Sequence, residues 1–141
     1  MSTYRLDKLF SPKSIALVGA SRREGSLGRT ILRNLTEAGF SGSIQLVNPR
    51  YSSIDDVPCV ARVEDLDPVP DLVVVAAPPK AVPGIIDAAG RRGVAAAIII
   101  TAGLGHGEGS LAEEARVIAR SHGIRLVGPN CLGVMAPRAK L

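Results

Sequence analysis

Tryptophan is missing from this 141-residue chain, and the only aromatic rings are those of two Tyr and two Phe. Large rings therefore do not build its core; Ala, Val, Ile and Leu must, as expected where parallel strands are buried beneath helices. Cysteine is equally scarce. Cys59 and Cys131 lie far apart, form no C-x-x-C pair and have no histidine beside them, which argues against a disulfide framework and against zinc. A reducing cytoplasm is the expected compartment. No apolar run approaches the roughly 20 residues that cross a bilayer, and no signal-peptide pattern opens the chain, so a soluble protein without a membrane partner is expected. Charge of one sign is not concentrated either: 17 basic and 13 acidic residues give a net +4 that is spread along the sequence. Without a basic run or interleaved aromatics, nucleic acid is not an expected partner, whereas a small anionic ligand is. No repeat or low-complexity tract occurs.

The hydrophobic share is 46% and the charged share 21%, enough apolar material for a single core in one domain. The most telling stretch is Ser14-Ile-Ala-Leu-Val-Gly19-Ala20-Ser21-Arg22-Arg23-Glu-Gly25-Ser-Leu-Gly28, where an apolar strand runs into a glycine-rich turn and then a helix. Such a turn lets backbone approach a ligand, and the free amides of a new helix face any bound anion. The spacing is not G-x-G-x-x-G, because Ser21 stands in place of the second glycine and five residues separate Gly19 from Gly25. A longer loop around a phosphate group is expected.

Five strands are predicted, at 14–18, 44–47, 72–76, 96–100 and 125–127, each followed within three residues by Gly, Pro or Asn. Helices are predicted over 27–38, 80–92 and 110–122, each ending before a glycine, with Ser110 and Glu113 in the arrangement of a capping box. Residues 51–70 read as irregular, with a short helix near 63–66. The alternation implies an α/β Rossmann-like fold: a doubly wound parallel sheet of five strands in the order 3-2-1-4-5, helices on both faces, and a ligand crevice between the first and fourth strands.

The loops at the carboxyl edge of that sheet define the ligand. After the second strand, where a nicotinamide-binding fold usually carries an acid, stand Asn48, Pro49 and Arg50. An amide beside an arginine suits a phosphorylated ribose, that of coenzyme A or of NADP, with Arg22 and Arg50 as candidate anion partners. Ala76-Ala77-Pro78-Pro79 offers a flat apolar wall for an adenine or a pantetheine arm, and Thr101-Ala102-Gly103 and Gly128-Pro-Asn130-Cys-Leu-Gly133 close the same edge. No catalytic set is legible. His106 lies in a glycine loop without an acid partner, His122 closes a helix, and Cys131 has no accompanying histidine.

The strings Gly19-Ala-Ser-Arg, Val47-Asn-Pro-Arg50, Ala76-Ala-Pro-Pro79, Thr101-Ala-Gly103 and Gly128-Pro-Asn-Cys-Leu-Gly133 resemble, in order and over nearly the whole chain, the CoA-binding domain of succinyl-CoA synthetase α subunits and NDP-forming acyl-CoA synthetases. The same domain heads some proteins fused to an acetyltransferase. The resemblance implies that the ligand is coenzyme A or acyl-CoA, and that Gly19, Ala20, Ser21, Arg22, Gly25 and Gly28 form the phosphate and ribose loop. It places Asn48 to Arg50 at the nucleotide end, Ala77 to Pro79 along the adenine and pantetheine path, and Thr101 to Gly103 with Asn130 near the thiol. It also implies a module, residues 1–141, taken from the N-terminus of a longer polypeptide whose downstream ligase or acetyltransferase domains are its partners. Two positions depart from the family pattern: Arg50 stands where Lys is frequent, and Leu104-Gly-His-Gly-Glu-Gly109 replaces an aromatic and an acidic residue. An NADP-dependent oxidoreductase is the competing reading, opposed by the glycine spacing. If Arg22 or Arg50 meets a ribose phosphate, its replacement by alanine should weaken CoA more than dephospho-CoA, by roughly 1.5–3 kcal/mol in a calorimetric titration.

Overall fold

The computed structural model describes residues 3–141. Seven strands run in chain order as β1 (Ser14–Val18), β2 (Ser43–Val47), β3 (Ser53–Ile54), β4 (Val57–Val60), β5 (Leu72–Val75), β6 (Ala96–Ile99) and β7 (Arg125–Val127). They form one sheet in the order β3-β4-β2-β1-β5-β6-β7, parallel throughout except for the antiparallel β3–β4 pair. The helices are α1 (Leu6–Phe10), α2 (Leu27–Glu37), α3 (Val82–Arg91) and α4 (Leu111–Ser121).

Because successive strand residues point to opposite faces, the continuous apolar runs of β1 and β5 supply both sides of the sheet. Ile15, Leu17, Leu72 and Val74 pack with Leu9 of α1 and Leu32 and Leu35 of α2. Ala16, Val18, Val73 and Val75 pack with Val82 and Ile86 of α3 and Ala115 and Ala119 of α4. Helices thus cover both faces, as the α/β doubly wound class requires. The helix signals read from the sequence also hold: the Ser110 hydroxyl accepts the Glu113 N–H at 3.2 Å, while the Glu113 carboxylate turns to Arg116 rather than back to the cap. A 3-10 turn at Pro79–Ala81 precedes α3, so Pro83 falls in the first helical turn, where its missing N–H costs nothing.

The strand count and order differ from the five strands in the order 3-2-1-4-5. The Leu72 strand does not lie outside β2; it pairs directly with β1, from Ile15↔Leu72 to Val18↔Val75, and β4 takes the outer place beside β2. The winding therefore reverses between β1 and β5, and the crevice opens there rather than between β1 and the Ala96 strand. The source of the difference is the stretch expected to be irregular, which folds as a β3–β4 hairpin. Its turn residues Asp55 and Asp56 have φ of 49° and 64°, the left-handed pair that a two-residue hairpin needs, supplied by aspartates in place of the usual Asn-Gly. Pro58 is accommodated in β4 at the edge hairpin, where it pairs with Ser53.

Two contacts set the centre of the sheet. At its amino end, Asp71 accepts the Lys13 N–H at 2.8 Å and the Lys8 ammonium at 3.1 Å, while its own N–H donates to the Ser14 hydroxyl at 2.9 Å, tying the starts of β1 and β5 together. Burial opposes ionisation of the Asp71 carboxyl, but the Lys13 amide and the Lys8 ammonium outweigh it and hold its pKa below the ordinary value. At the carboxyl end, Gly19 turns with φ of +93°, and α2 packs so closely that a Cβ on Gly28 would stand 2.0 Å from the Gly19 carbonyl oxygen.

Both contacts are open to test. A depressed carboxyl pKa adds stability that is present above the unfolded value of about 4 and fades as pH falls through the folded one. Wild type should therefore exceed Asp71→Asn in urea stability at pH 7, and the gap should close below about pH 4. Gly28→Ala forces backbone apart and should cost at least about 1–3 kcal/mol in the same measurement. Gly84→Ala, on α3 with nothing within 4 Å, should be neutral or stabilise by up to about 1 kcal/mol.

Candidate functional site

A cleft of about 840 Å³ opens at the carboxyl edge of β2, β1 and β5, within the range of small-molecule sites. Its floor is the turn after β1, where Gly19 and Gly28 meet. One end is formed by the first turn of α2, another by Asn48, Pro49 and Arg50 after β2, and a wall by Ala77 and Pro78 after β5. The opposite wall comes from Val63 in the crossover out of β4 and from Ile85 and Ala88 of α3.

The electrostatics follow from how the loops satisfy their own polar groups. At the start of α2, Ser26 accepts the Arg29 N–H at 3.2 Å and donates its hydroxyl to the Arg23 carbonyl at 2.7 Å. The amides of Leu27 and Gly28, which line the cleft, keep no partner among the described residues, so the positive end of the helix faces the cavity. Asn48 is a structural clasp: its Nδ2 donates to the Ala20 carbonyl at 2.8 Å and its Oδ1 accepts the Arg50 N–H at 2.9 Å. The Arg50 guanidinium then stands at the cleft with no protein partner among the described residues. Arg62 also lines the cleft but is paired with Asp65 at 3.3 Å.

Of the residues singled out from sequence, Gly19, Ser21, Gly28, Asn48, Pro49, Arg50, Ala77 and Pro78 come together on this cleft. Ala20, Arg22, Gly25, Pro79, Thr101, Ala102, Gly103 and Asn130 do not line it. Ala20 is buried beneath the Asn48 amide. Arg22 donates from Nε and Nη2 to the Ser53 carbonyl at 3.1 and 2.5 Å and lies over the Tyr51 ring. Thr101 is buried, with its hydroxyl donating to the Ala77 carbonyl at 2.8 Å, and its own carbonyl accepts the Asn130 N–H at 3.1 Å. That chain of bonds joins the loops after β5, β6 and β7, placing Thr101, Gly103 and Asn130 further along the same edge, behind the Ala77–Pro79 wall.

Sequence reasoning missed Arg23, Arg62, Val63 and the cleft-facing side of Ile85 and Ala88. Arg23 neighbours Arg22, and nothing in the pattern says which of the two faces inward. Arg62 and Val63 were hidden because β4, which delivers them, was not foreseen, and Ile85 has the spacing of an ordinary core position.

The cleft carries neither histidine nor cysteine. His122 instead ties α4 to α3 through Asp87 at 2.8 Å; this bond, with help from Arg91, holds the Asp87 carboxyl below its usual pKa. Cys59 lies behind the Asn48 loop, where burial raises its thiol pKa, and Cys131 sits 3.4 Å from the Ile99 carbonyl. Among the described residues no group of three or more His, Cys, Asp or Glu is placed to hold a metal, and no helix is long and apolar enough to cross a membrane.

The sequence matches the CoA binding domain family over residues 13–137. It is 40% identical over 133 residues to the ADP-forming acetate–CoA ligase of Methanocaldococcus jannaschii, covering 94% of this chain and 19% of that protein. It is 36% identical to the α subunit of ADP-forming acetate–CoA ligase I of Pyrococcus furiosus, covering 96% of this chain and 31% of the subunit. Among solved structures, the dinucleotide-forming acetyl-coenzyme A synthetase 1 of Ca. Korarchaeum cryptofilum, in complex with phosphate and ADP, superposes with a TM-score of 0.90 at 38% identity, over 96% of this chain and 30% of the other. The chain thus spans between about a fifth and a third of the length of these relatives. With its glycine turn, its basic cleft and these relatives, the chain belongs to the CoA-binding domain family and corresponds to the CoA-binding portion of ADP-forming acyl-CoA ligases.

Proposed function

We propose that this chain is the module that holds CoA or acyl-CoA for an NDP-forming acyl-CoA synthetase, in which acid, CoA and NTP are converted reversibly to acyl-CoA, NDP and phosphate. The observation that carries the reading is the pairing, on one cleft, of an open helix N-terminus with the unpartnered Arg50, opposite an apolar wall. A pyrophosphate suits the helix end, a ribose phosphate suits Arg50, and an adenine suits the surface of Val63, Ile85 and Ala88. The pantetheine arm then follows Ala77 to Pro79 toward Thr101, Ala102, Gly103 and Asn130. With no histidine or cysteine on the cleft, phosphoryl transfer falls to other domains of a longer polypeptide, in a cytoplasm where Cys59 and Cys131 stay free thiols.

The loop Leu104-Gly-His-Gly-Glu-Gly109, exposed over 105–109, has Leu104-Gly105 directly after Thr101-Ala-Gly103, where the resembled synthetases carry an aromatic and an acidic residue, which supports a second reading: an acyl-CoA-sensing domain attached to an acetyltransferase. Both readings require CoA binding without catalysis. In a calorimetric titration with CoA, dephospho-CoA, NADP and NAD, CoA should bind selectively; NADP binding without CoA binding would return the site to the oxidoreductase reading. Acid, NTP and CoA together should give no turnover with this chain, and measurable ligase activity from it alone would overturn the assignment of phosphoryl chemistry to other domains.

A further inference from the structure

Arg22 and Arg23 are neighbours, both exposed and chemically identical, yet the structure employs them differently. The Nε–Nη2 edge of Arg22, one of the two edges by which a guanidinium grips a phosphate with paired donors, is occupied by the Ser53 carbonyl. One face of the same group lies over the Tyr51 ring, 5.3 Å from its centroid. Both partners belong to the strand and loop that open the β3–β4 hairpin. Two further ties run the same way: Asn48 Nδ2 holds the Ala20 carbonyl, and Arg29 pairs with Asp55 in the hairpin turn while its Nε meets Glu24 at 3.4 Å. The glycine loop is therefore fastened at its start to the loop after β2, and at its middle and its end to the edge hairpin.

Arg23 has the reverse arrangement. Its backbone is fixed, with the N–H donated to Ser21 Oγ at 3.0 Å and the carbonyl accepting from Ser26 Oγ at 2.7 Å. Its guanidinium has no partner among the described residues, and Arg23 lines the cleft together with Ser26, Leu27 and Gly28. We propose that Arg22 is a positioning residue that locks the glycine loop onto the β3–β4 hairpin, and that Arg23, presented by this lock, is the ligand-facing cation of the loop, meeting the pyrophosphate of CoA beside the N-terminus of α2. The assignment rests on the cleft being the CoA site. It divides labour with Arg50, which meets the ribose phosphate: Arg23 serves a group that CoA and dephospho-CoA share, and Arg50 one that only CoA has.

The test combines titrations of the 141-residue chain by CoA and dephospho-CoA with amide hydrogen exchange of the ligand-free chain, for wild type, Arg22→Ala, Arg22→Lys, Arg23→Ala and Arg22→Ala/Arg23→Ala. Arg23→Ala should weaken both ligands by the same factor, roughly tenfold to hundredfold, with loop exchange unchanged. Arg22→Ala should also weaken both, but with faster exchange confined to residues 20–25. In the double variant it should add little to Arg23→Ala, because one residue acts through the other. Arg22→Lys keeps the charge without the two-donor grip and should behave like Arg22→Ala. Additive losses, selective loss of CoA over dephospho-CoA in Arg22→Ala, or affinity restored by lysine while exchange stays fast would each make Arg22 a direct ligand contact and overturn the proposal. Unchanged binding in Arg23→Ala would do the same. Failure of wild type to bind CoA would remove the functional reading and with it the role of Arg23; the exchange comparison needs no ligand, and unchanged exchange in Arg22→Ala would overturn the lock by itself.

Discussion

The site depends on one close approach: the first turn of α2 rests on the turn that leaves β1, with Gly28 against the Gly19 carbonyl at a distance no side chain tolerates. Had α2 been held further off by a Cβ, its N-terminal amides would not share a cavity with the ends of β2 and β5. Gly19 meets a similar limit on its other side, since a Cβ there would lie 2.6 Å from the Ala76 carbonyl oxygen. The turn is thus wedged between α2 and the exit of β5, at the place where the sheet reverses its winding. Doubly wound sheets place ligands at such a reversal because the loops on either side part in opposite directions and leave a crevice.

Around that fixed point the arginines divide into those the fold consumes and those it leaves available. Arg22, Arg29 and Arg62 are satisfied by Ser53, Asp55 and Asp65, whereas Arg23 and Arg50 face the cleft without protein partners among the described residues. A guanidinium already paired has little to gain from a phosphate, because a new contact must replace an old one; an unpaired one exchanges only water. The net charge of the chain is a poor guide to the cleft, where Arg23, Arg50 and Arg62 gather beside a helix end with Glu64 as the one acidic residue among the described residues that line it.

The central strands, the three long helices and the class of fold were legible because each rests on a local pattern: unbroken apolar runs for strands buried on both sides, and capped segments of helical period between them. The β3–β4 hairpin was not. Val57-Pro-Cys-Val is short and carries a proline, and its turn is built by two aspartates whose left-handed backbone is stabilised only once the strands pair and Arg29 engages Asp55. Missing that hairpin displaced the Leu72 strand in the expected order, since strand order is decided by which hydrophobic surfaces are covered, not by succession along the chain.

The sequence by itself determined the fold class and the glycine turn, because glycine spacing and strand hydrophobicity act through local backbone geometry; the residues left CoA and NADP both open, and only the family resemblance singled out CoA. Only the tertiary structure decided that the crevice lies between β1 and β5, that Ile85 and Val63 form its apolar wall, and that Arg23 lines it while Arg22 is bonded to Ser53. Those outcomes depend on which partner reaches a side chain first. The Ser53 carbonyl that occupies Arg22 lies 31 residues away, beyond the reach of any local pattern.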